Sequence, residues 1–309
     1  MPPLLQLHLL VALLTSTAII GRLISLPAPM LVAWRTILAA IGAAIFITVI
    51  KRQSLRVTRR QLASLLGIGA IVGLHWICFF GAIQLANVSI SLAGMAAISI
   101  FTAFTEPLLE KRPIRPLEVA LGILVIGGLA LVAGFERGHW LGLGVGLGAA
   151  FLAAIFPVLN RRLVNASGLN PQAMVGWEML GAHLTVMALL PFLPLLDHQP
   201  FSPATTYAAL FHLKGLDWMW LLILAWICTV FAHGFQIHLL RHFSAYTSNL
   251  AFNFEPVYGI VAAALIFGEH KDLHAGFYAG TLTIVAANLL HALIPYWQRR
   301  RKHIDPAAS

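Results

Sequence analysis

Charged side chains are scarce in this sequence: 10% of its 309 residues are charged, whereas 59% are hydrophobic. Soluble domains carry about 25% charged and about 45–50% apolar residues, so the composition excludes an ordinary soluble domain and indicates a membrane protein. Cysteine is almost absent as well. Cys78 and Cys228 each lie inside an apolar run, so the chain has no CxxC motif and no disulfide framework, and we interpret both as small core residues.

The sequence also lacks the common catalytic and nucleotide-binding motifs. It contains no HExxH, GxSxG or P-loop pattern, which argues against a zinc protease, a serine hydrolase and an ATP-driven pump. The glycines of 141–148 lack GxGxxG spacing and favour close helix packing instead. His270 and His274 with Glu269 or Asp272 offer metal-binding side chains, but the lysine between them and the loop setting argue against a site. We therefore predict no catalytic residues, no metal and no cofactor.

What the sequence does contain is a series of long apolar runs. A membrane-spanning helix needs roughly 20 apolar residues, and the runs predict an all-α membrane protein with ten transmembrane helices. The first run follows no basic segment and precedes no convincing cleavage site, so we interpret it as a retained helix rather than a signal peptide. The predicted spans lie near residues 4–24, 29–50, 62–85, 89–109, 117–135, 141–160, 172–196, 218–240, 246–267 and 275–295.

Lysine and arginine predict the orientation of the chain, because they stay preferentially in cytoplasmic segments. Fifteen of them fall on the side that holds both termini, and three fall on the other side. The asymmetry predicts a cytoplasmic N-terminus and a cytoplasmic C-terminus. It also explains the net charge of +9 by topology and contact with anionic lipid, so we predict no nucleic-acid partner. The basic segments are 51–60, 111–115, 161–162, Arg241 and 299–302, against Arg137, Lys214 and Lys271 on the other side.

The chain repeats itself. A shift of 158 residues places His75 on His233, and a shift of 143 places the dipeptide at 34–35, Trp-Arg, on the dipeptide at 177–178, Trp-Glu. Each half holds five predicted spans, an odd number, so the second half would enter the membrane from the opposite side. Inverted repeats of this kind are typical of secondary transporters with a binding site between the halves.

The repeat sets the predicted domain organisation. We predict two inverted five-helix repeats, residues 1–136 and 137–296, followed by a basic cytoplasmic tail, 297–309. One likeness does not belong to the repeat. The dipeptides at 106–107 and 255–256 are both Glu-Pro, but they do not share its register, so we treat that match as chance.

Five stretches, spread over nearly the whole chain, carry a resemblance to a known family: ISLPAPMLVAWR (24–35), GLHWICFFGAIQLANVSISLAG (73–94), FTEPLLEKRPI (104–114), VLNRRL (158–163) and NFEPVYGIVAAALIFGE (253–269). The halves resemble the EamA domain pair of the drug/metabolite transporter superfamily, whose members are ten-helix carriers. The resemblance implies a location in the bacterial inner membrane and export as the direction of transport. It implies no particular cargo and brings no catalytic motif.

Ionisable residues inside the predicted spans are functional hypotheses, because a charge in the hydrocarbon region is costly unless it faces a cavity or a partner. Arg35 lies roughly 9 Å along its span, and its planar guanidinium suits a carboxylate. Arg22 lies at a similar level and either assists it or anchors the helix at the interface. Glu178 occupies the place of Arg35 in the second half, so opposite charges lie at mirrored depths. The alternative for Arg35 is a pairing with a helix carbonyl or an acid that serves packing alone.

Glu255 lies near the middle of its predicted span and is followed by a proline. Pro256 lacks a backbone donor and tends to kink the helix, which leaves carbonyl groups that only protein or cavity water can satisfy. A carboxyl at such a bend could receive an amine or a proton. We therefore predict that Glu255 and Glu178 bind substrate and couple transport to protons, with a protonated or paired packing role for Glu255 as the alternative.

Further polar and aromatic residues in the spans are candidate lining of a binding cavity. The repeat equivalents His75 and His233 could form its polar walls, although a lone histidine is more often satisfied within the core. Aromatic residues could stack on cargo or belong to the interfacial belts. Tyr246 is a further aromatic candidate of this kind, and Gln84, Gln236 and Asn249 could serve cargo or join helices. The predicted substrate-binding set is Arg35, Glu178, Glu255, His75, His233, Trp34, Trp76, Asn253 and Tyr258.

The favoured function is a secondary carrier that exports a small polar or amphipathic metabolite, amino-acid-like or drug-like, by alternating access. The predicted partners are a small-molecule substrate and the lipid bilayer, with protons as a candidate coupling ion, and the protein is expected to be a monomer or a homodimer. A passive channel would need a continuous polar stripe along several helices. An intramembrane enzyme would need clustered acids, a nucleophile with its base, or metal ligands on facing helices. Neither pattern is evident.

Overall fold

The computed structural model describes residues 3–135, 137–192, 203–252, 254–268 and 274–304. All regular elements within these residues are helical, which confirms the all-α prediction. The α-helices are α1 (Pro3–Leu23), α2 (Ala28–Ile45), α3 (Arg59–Leu85), α4 (Val88–Met95), α5 (Ile98–Glu110), α6 (Pro116–Phe135), α7 (Trp140–Ala153), α8 (Phe156–Ser167), α9 (Pro171–Leu189), α10 (Pro203–Ala208), α11 (Asp217–Ala225), α12 (Ala232–Leu239), α13 (Ala245–Phe252), α14 (Glu255–Phe267) and α15 (Ala275–Ile304). Phe46–Ile50 and Trp226–Phe231 are π-helical turns.

Seven helical stretches of the described residues are long and apolar enough to cross a bilayer, and they coincide with seven of the ten predicted spans. The apolar parts of α6 and α15 are shorter, Pro116–Gly128 and Ala275–Ala287. The ninth predicted span is divided between α13 and α14. The count of ten therefore stays a prediction. The seven stretches are Leu5–Leu23, Ala28–Ile50, Arg59–Leu85, Val88–Glu110, Trp140–Ser167, Pro171–Phe192 and Asp217–Leu239.

Large apolar side chains project outward from the bundle. Leu108, Leu265 and Leu282 are 79%, 82% and 69% exposed. Water would disfavour so much exposed apolar surface, whereas the hydrocarbon of a bilayer solvates it. Together with the apolar helices, this surface identifies a multi-pass membrane protein.

The bundle has two ends that differ in charge. We call the end where residues 51–58 meet residues 168–170 and 240–244 the basic end. There the side-chain amide of Asn170 donates to the side-chain carbonyl of Gln53 at 2.9 Å. At the opposite end, the backbone N–H of Ser25 donates to Asp217 at 3.0 Å. Hydrogen bonds between the halves of the chain thus occur at both ends.

Two repeat-equivalent tryptophans make exchanged contacts. The indole N–H of Trp34 donates to the Leu210 carbonyl at 2.7 Å, which lies in the connection between α9 and α11. The indole N–H of Trp177 donates to the Leu55 carbonyl at 3.0 Å, in the connection between α2 and α3. Each half therefore presents its tryptophan to the corresponding connection of the other half, at opposite ends of the bundle.

Three long helices are interrupted near their middle: α4 is followed directly by α5, α7 by α8, and α13 by α14. Pro157 lies in the first turn of α8, and Pro256 lies in the first turn of α14. A proline at these positions is tolerated because the first N–H groups of a helix have no intrahelical acceptor. The break that Pro256 predicts is therefore present. The break between α4 and α5 has no proline.

Candidate functional site: a central cavity where the interrupted helices meet

The three helix breaks meet at a cavity of about 80 Å³ in the interior of the bundle. The π-helical turn Trp226–Phe231 contributes Cys228 to the wall of this cavity. The volume equals that of about two or three water molecules in the liquid, and is well below the roughly 300–1,000 Å³ of ordinary ligand pockets. Cargo of more than a few atoms would require the cavity to widen. Each break supplies a residue pair to the wall: Met95 and Ile98, Ala153 and Phe156, and Phe252 and Glu255.

Arg35 lines this cavity and is 2% exposed. Its Nε donates to the Thr229 hydroxyl at 2.9 Å, its Nη2 donates to the Cys228 carbonyl at 3.4 Å, and its guanidinium lies 3.7 Å from the centre of the Trp76 ring. The stacking and the two bonds hold the guanidinium plane in one orientation. Within the described part of the chain, no carboxylate lies within 4.0 Å of it, and Nη1 has no hydrogen-bond partner. Arg35 is therefore a buried cation with an unused donor.

Glu255 lines the same cavity from the first residue of α14. Its side chain is partly buried and makes no hydrogen bond or ion pair with any residue that the structure describes. The cavity thus holds an unpaired cation from α2 and an unpaired carboxyl from α14, at separate positions in its wall.

A second acid, Glu178, reaches the cavity through a histidine. Glu178 is fully buried, and its Oε2 lies 2.9 Å from His233 Nε2, while the Asn160 amide donates to the same oxygen at 3.3 Å. Its Oε1 has no hydrogen-bond partner among the described residues. His233 lines the cavity, and its Nδ1 lies 3.2 Å from Gln236 Oε1. Glu178 therefore does not line the cavity itself, but it shares a hydrogen-bonded pair with a residue that does.

Close backbone packing fixes Glu178 in the interior. A Cβ atom on Gly69 would collide with the Glu178 carbonyl, and one on Gly181 would collide with the backbone of Leu66. Because glycine has no side chain, α3 and α9 approach to backbone contact at these two levels. The position of the carboxyl therefore depends on the close contact between α3 and α9.

Aromatic rings form one wall of the cavity. The Phe156 ring lies between the two repeat-equivalent histidines, with centroids 5.6 Å from His75 and 5.9 Å from His233. His75 Nδ1 donates to the Ala149 carbonyl at 2.8 Å, since a carbonyl can only accept. His75 also stacks on Phe79. This wall offers an apolar surface next to the charged groups.

Some of the remaining predicted residues line the cavity, and others lie outside it. Trp76 and the alternatives Gln236 and Asn249 line the cavity with Arg35 and the others, although the Asn249 amide also donates to Thr102, as a helix-joining residue would. Trp34 lies outside the cavity, at the opposite end, against Phe211 and Trp218.

Tyr258 is 43% exposed and does not line the cavity. Asn253 lies outside the described residues. Gln84 joins helices, since it accepts from the Ala28 N–H and donates to the Leu26 carbonyl at 2.9 Å each. The unfavoured metal candidates at 269–273 also lie outside the described residues, and the described part contains no cluster of three His, Cys, Asp or Glu side chains.

One cluster of charged groups was missed in the sequence because we took Glu106 for a chance match. Glu106 is fully buried near the basic end, where Arg112 lies at 3.1 Å and the backbone N–H of Tyr246 donates to it at 3.0 Å. Arg161 lies 2.6 Å from Glu110 and 3.9 Å from Glu106. The acids belong to α5 in the first half, whereas Arg161 and Tyr246 belong to the second half. These contacts close the basic end of the bundle below the cavity.

The fold has a solved counterpart. A structure titled only "Crystal structure of protein" superposes with a TM-score of 0.61 and 15% sequence identity, over 93% of this chain and 95% of that chain. At this identity the likeness shows the fold alone. Among curated proteins there is no significant match. The EamA-like transporter family, in contrast, matches residues 3–134 and 140–293, which cover both halves. The chain therefore belongs to the EamA-like transporter family.

Proposed function

We propose that the protein is a secondary transporter that exports a small amphipathic zwitterion, amino-acid-like in its charges, across the cytoplasmic membrane by alternating access. The observation that carries the proposal is the lining of the central cavity. It contains an unpaired guanidinium from the first half, an unpaired carboxyl from the second half and several aromatic rings. The membership in a transporter family supports it.

The charged groups fit the two ends of a zwitterion. The free Nη1 of Arg35 and the remaining N–H groups of its guanidinium can bind a carboxylate. The carboxyl of Glu255 can bind an ammonium group. Burial strengthens both contacts because the surrounding dielectric is low. The rings of Trp76, Phe79 and Phe156 offer an apolar surface for the rest of the cargo. Neither charge can be satisfied by a purely apolar drug, so a zwitterion is preferred to such a compound.

The contacts at the two ends support alternating access. The cavity is small, and hydrogen bonds or ion pairs between the halves occur at the basic end and at the opposite end. Cargo entry would require the contacts at one end to separate while those at the other remain. The exchanged bonds of Trp34 and Trp177 are the pattern expected of two inverted repeats that rock around a central site. With cytoplasmic termini, the basic end would face the cytoplasm.

Proton coupling follows from the same groups. When no ammonium is bound, a carboxyl in a low-dielectric cavity is most stable in its neutral, protonated form. Cargo and proton would therefore compete for Glu255, and the exchange of one for the other would link outward movement of cargo to inward movement of protons. The role of Glu178 in proton coupling stays a prediction.

Transport by purified protein in proteoliposomes tests the proposal. We expect saturable uptake of an apolar amino acid such as phenylalanine, accelerated by unlabelled phenylalanine on the other side of the membrane. Acceleration of this kind requires a carrier and does not occur in a passive channel. Non-saturable flux would favour a channel, recovery of chemically altered cargo would favour an enzyme, and absence of flux for all amino acids would remove the zwitterion. Cysteine labelling of residues 51–60 from the cytoplasmic side only would establish the orientation.

A further inference from the structure

A groove of about 820 Å³ lies on the outside of the bundle, away from the central cavity. It lies between the start of α3 and α8, at the basic end. None of its lining residues also lines the cavity. The groove faces the surroundings of the bundle rather than its interior, since Ala63, Ser64 and Gly67 on its wall are exposed. It therefore plays no part in the cargo site.

The groove is polar at one end and apolar along the rest of its length. Arg60 lies at the basic end, and Gly67, Ile68 and Ile71 follow along α3. Arg60 and Ile71 are eleven residues apart, about 16 Å at 1.5 Å per residue. Half of the hydrocarbon core of a bilayer is about 15 Å thick. The groove therefore matches one leaflet in both length and polarity.

Two arginines supply the available polar groups. Arg60 and Arg162 flank the groove from α3 and α8, and neither forms an ion pair with an acid in the described ranges. Arg162 uses one donor on the Leu109 carbonyl at 3.1 Å and keeps the others. The neighbouring side chains are already engaged, since Thr58 and Gln61 bond each other in a capping box. Charge at the groove is therefore positive and uncompensated.

The apolar part of the groove is open. A Cβ atom on Gly67 would meet no other atom within 4 Å, so the glycine leaves empty space between α3 and α8. In a bilayer such space is filled by an acyl chain, because an empty void forfeits dispersion contacts with its lining. A chain in this position would bring its phosphate to the level of the arginines.

We propose that this groove is a binding site for one anionic phospholipid of the leaflet at the basic end. Its phosphate lies between Arg60 and Arg162, and one acyl chain runs along Gly67 toward Ile71. A lipid with a net negative headgroup is preferred to a zwitterionic one, because the two guanidinium groups are not balanced by a nearby acid. The lipid joins α3 of the first half to α8 of the second half, so it stabilises their contact.

The test measures the thermal unfolding of purified full-length protein in detergent, with phosphatidylglycerol or with phosphatidylcholine of the same chains. We expect phosphatidylglycerol to raise the melting temperature of the wild type more than phosphatidylcholine does. The double variant Arg60→Gln/Arg162→Gln should lose this excess. The matched control Arg56→Gln/Arg59→Gln removes two nearby arginines outside the groove and should keep it. Native mass spectrometry should retain one phosphatidylglycerol on the wild type and on the control.

A third variant tests the acyl chain independently of charge. Gly67→Leu fills the open space and should reduce retention of phosphatidylglycerol while both arginines remain. Equal loss in the groove variant and the control would reduce the effect to general basic charge and overturn the site. An equal shift with water-soluble glycerol phosphate would show that a free phosphate is bound instead. Unchanged retention in Gly67→Leu would show that no chain lies in the groove.

Discussion

The change Arg35→Lys tests the cargo site most directly, because it keeps the positive charge and removes the planar fork. In the structure, the guanidinium is held by Thr229, by the Cys228 carbonyl and by stacking on Trp76, which leaves Nη1 as the free donor toward the cavity. A lysine ammonium offers a single point of attachment and lacks the planar geometry that fixes the direction of its bonds. The variant should therefore still attract a carboxylate but bind it in a less defined position.

The expected loss can be worked from these contacts. A hydrogen bond to a charged group contributes about 1.5–3 kcal/mol, and a lysine in place of the fork loses about one such bond to the cargo carboxylate. Since about 1.4 kcal/mol corresponds to a tenfold change, affinity should fall about 10- to 100-fold. The fall should be specific to cargo with a carboxylate. The corresponding amine, which lacks that group, should bind wild type and variant alike.

The assay is competition against phenylalanine counterflow, with phenylalanine and phenethylamine as competitors. The matched control is Arg22→Lys, the same replacement at an exposed arginine at the opposite end. We expect the ratio of the two affinities to shrink in Arg35→Lys and to stay at its wild-type value in the control. An unchanged ratio, or an equal loss for both compounds, would remove Arg35 from the carboxylate site.

Three further changes have defined outcomes. Glu255→Gln should flatten the pH dependence of transport and weaken phenylalanine binding, because the cargo ammonium loses its charged partner; an unaltered pH profile would refute the role of Glu255 as proton acceptor. Gly69→Ala should lower the melting temperature strongly, because the added methyl group meets the backbone of α9. Gly67→Ala should leave the stability of the protein unchanged or raise it by up to about 1 kcal/mol. Equal effects of the two variants would contradict the close packing of α3 and α9. Arg161→Gln should open the basic end by removing its ion pairs with Glu106 and Glu110. In a Cys78→Ser background, Cys228 should then react faster with a water-soluble thiol reagent. An unchanged rate would show that the ion pairs do not close that end.

The sequence predicted most of the helices because the hydrophobic signal is long and local. The apolar runs located every described spanning stretch, and Pro256 predicted the break before α14. The break between α4 and α5 could not be predicted in this way. It lies at Ala96 and Ala97, which are ordinary helix formers, so tertiary packing rather than local preference interrupts the helix there.

The candidate site was predicted in part, because depth along a helix can be counted whereas the direction of a side chain cannot. Arg35, His75, Trp76, His233 and Glu255 all line one cavity. Their role in binding cargo stays a prediction. Successive residues of a helix point about 100° apart, since 3.6 residues make a turn. Trp34 points away from the direction of Arg35, and it packs against Trp218 at the opposite end.

The partners of charged groups could not be derived from the sequence. Glu106 was set aside because it lies out of register with the repeat, yet it is buried between Arg112 and the start of α13. Its environment is created by the packing of α5 against α13 and α8, which are far from it in the chain. Asn160 is similar, since its contact with Glu178 depends on how α8 packs near α9. Such contacts arise from tertiary structure alone.

The two halves share a backbone plan but carry different charges at equivalent positions. The shift of 143 residues pairs Arg35 with Glu178, and the shift of 158 residues pairs Glu255 with Ala97, which is buried at the corresponding helix break. If the charges obeyed the symmetry of the repeat, a zwitterion could bind in two equivalent orientations. In the proposed transporter, the cation from the first half and the carboxyls from the second half would remove this degeneracy, because only one orientation brings both ends of the zwitterion to opposite charges. Under this proposal, the divergence of the two copies would give the repeated scaffold a single mode of binding.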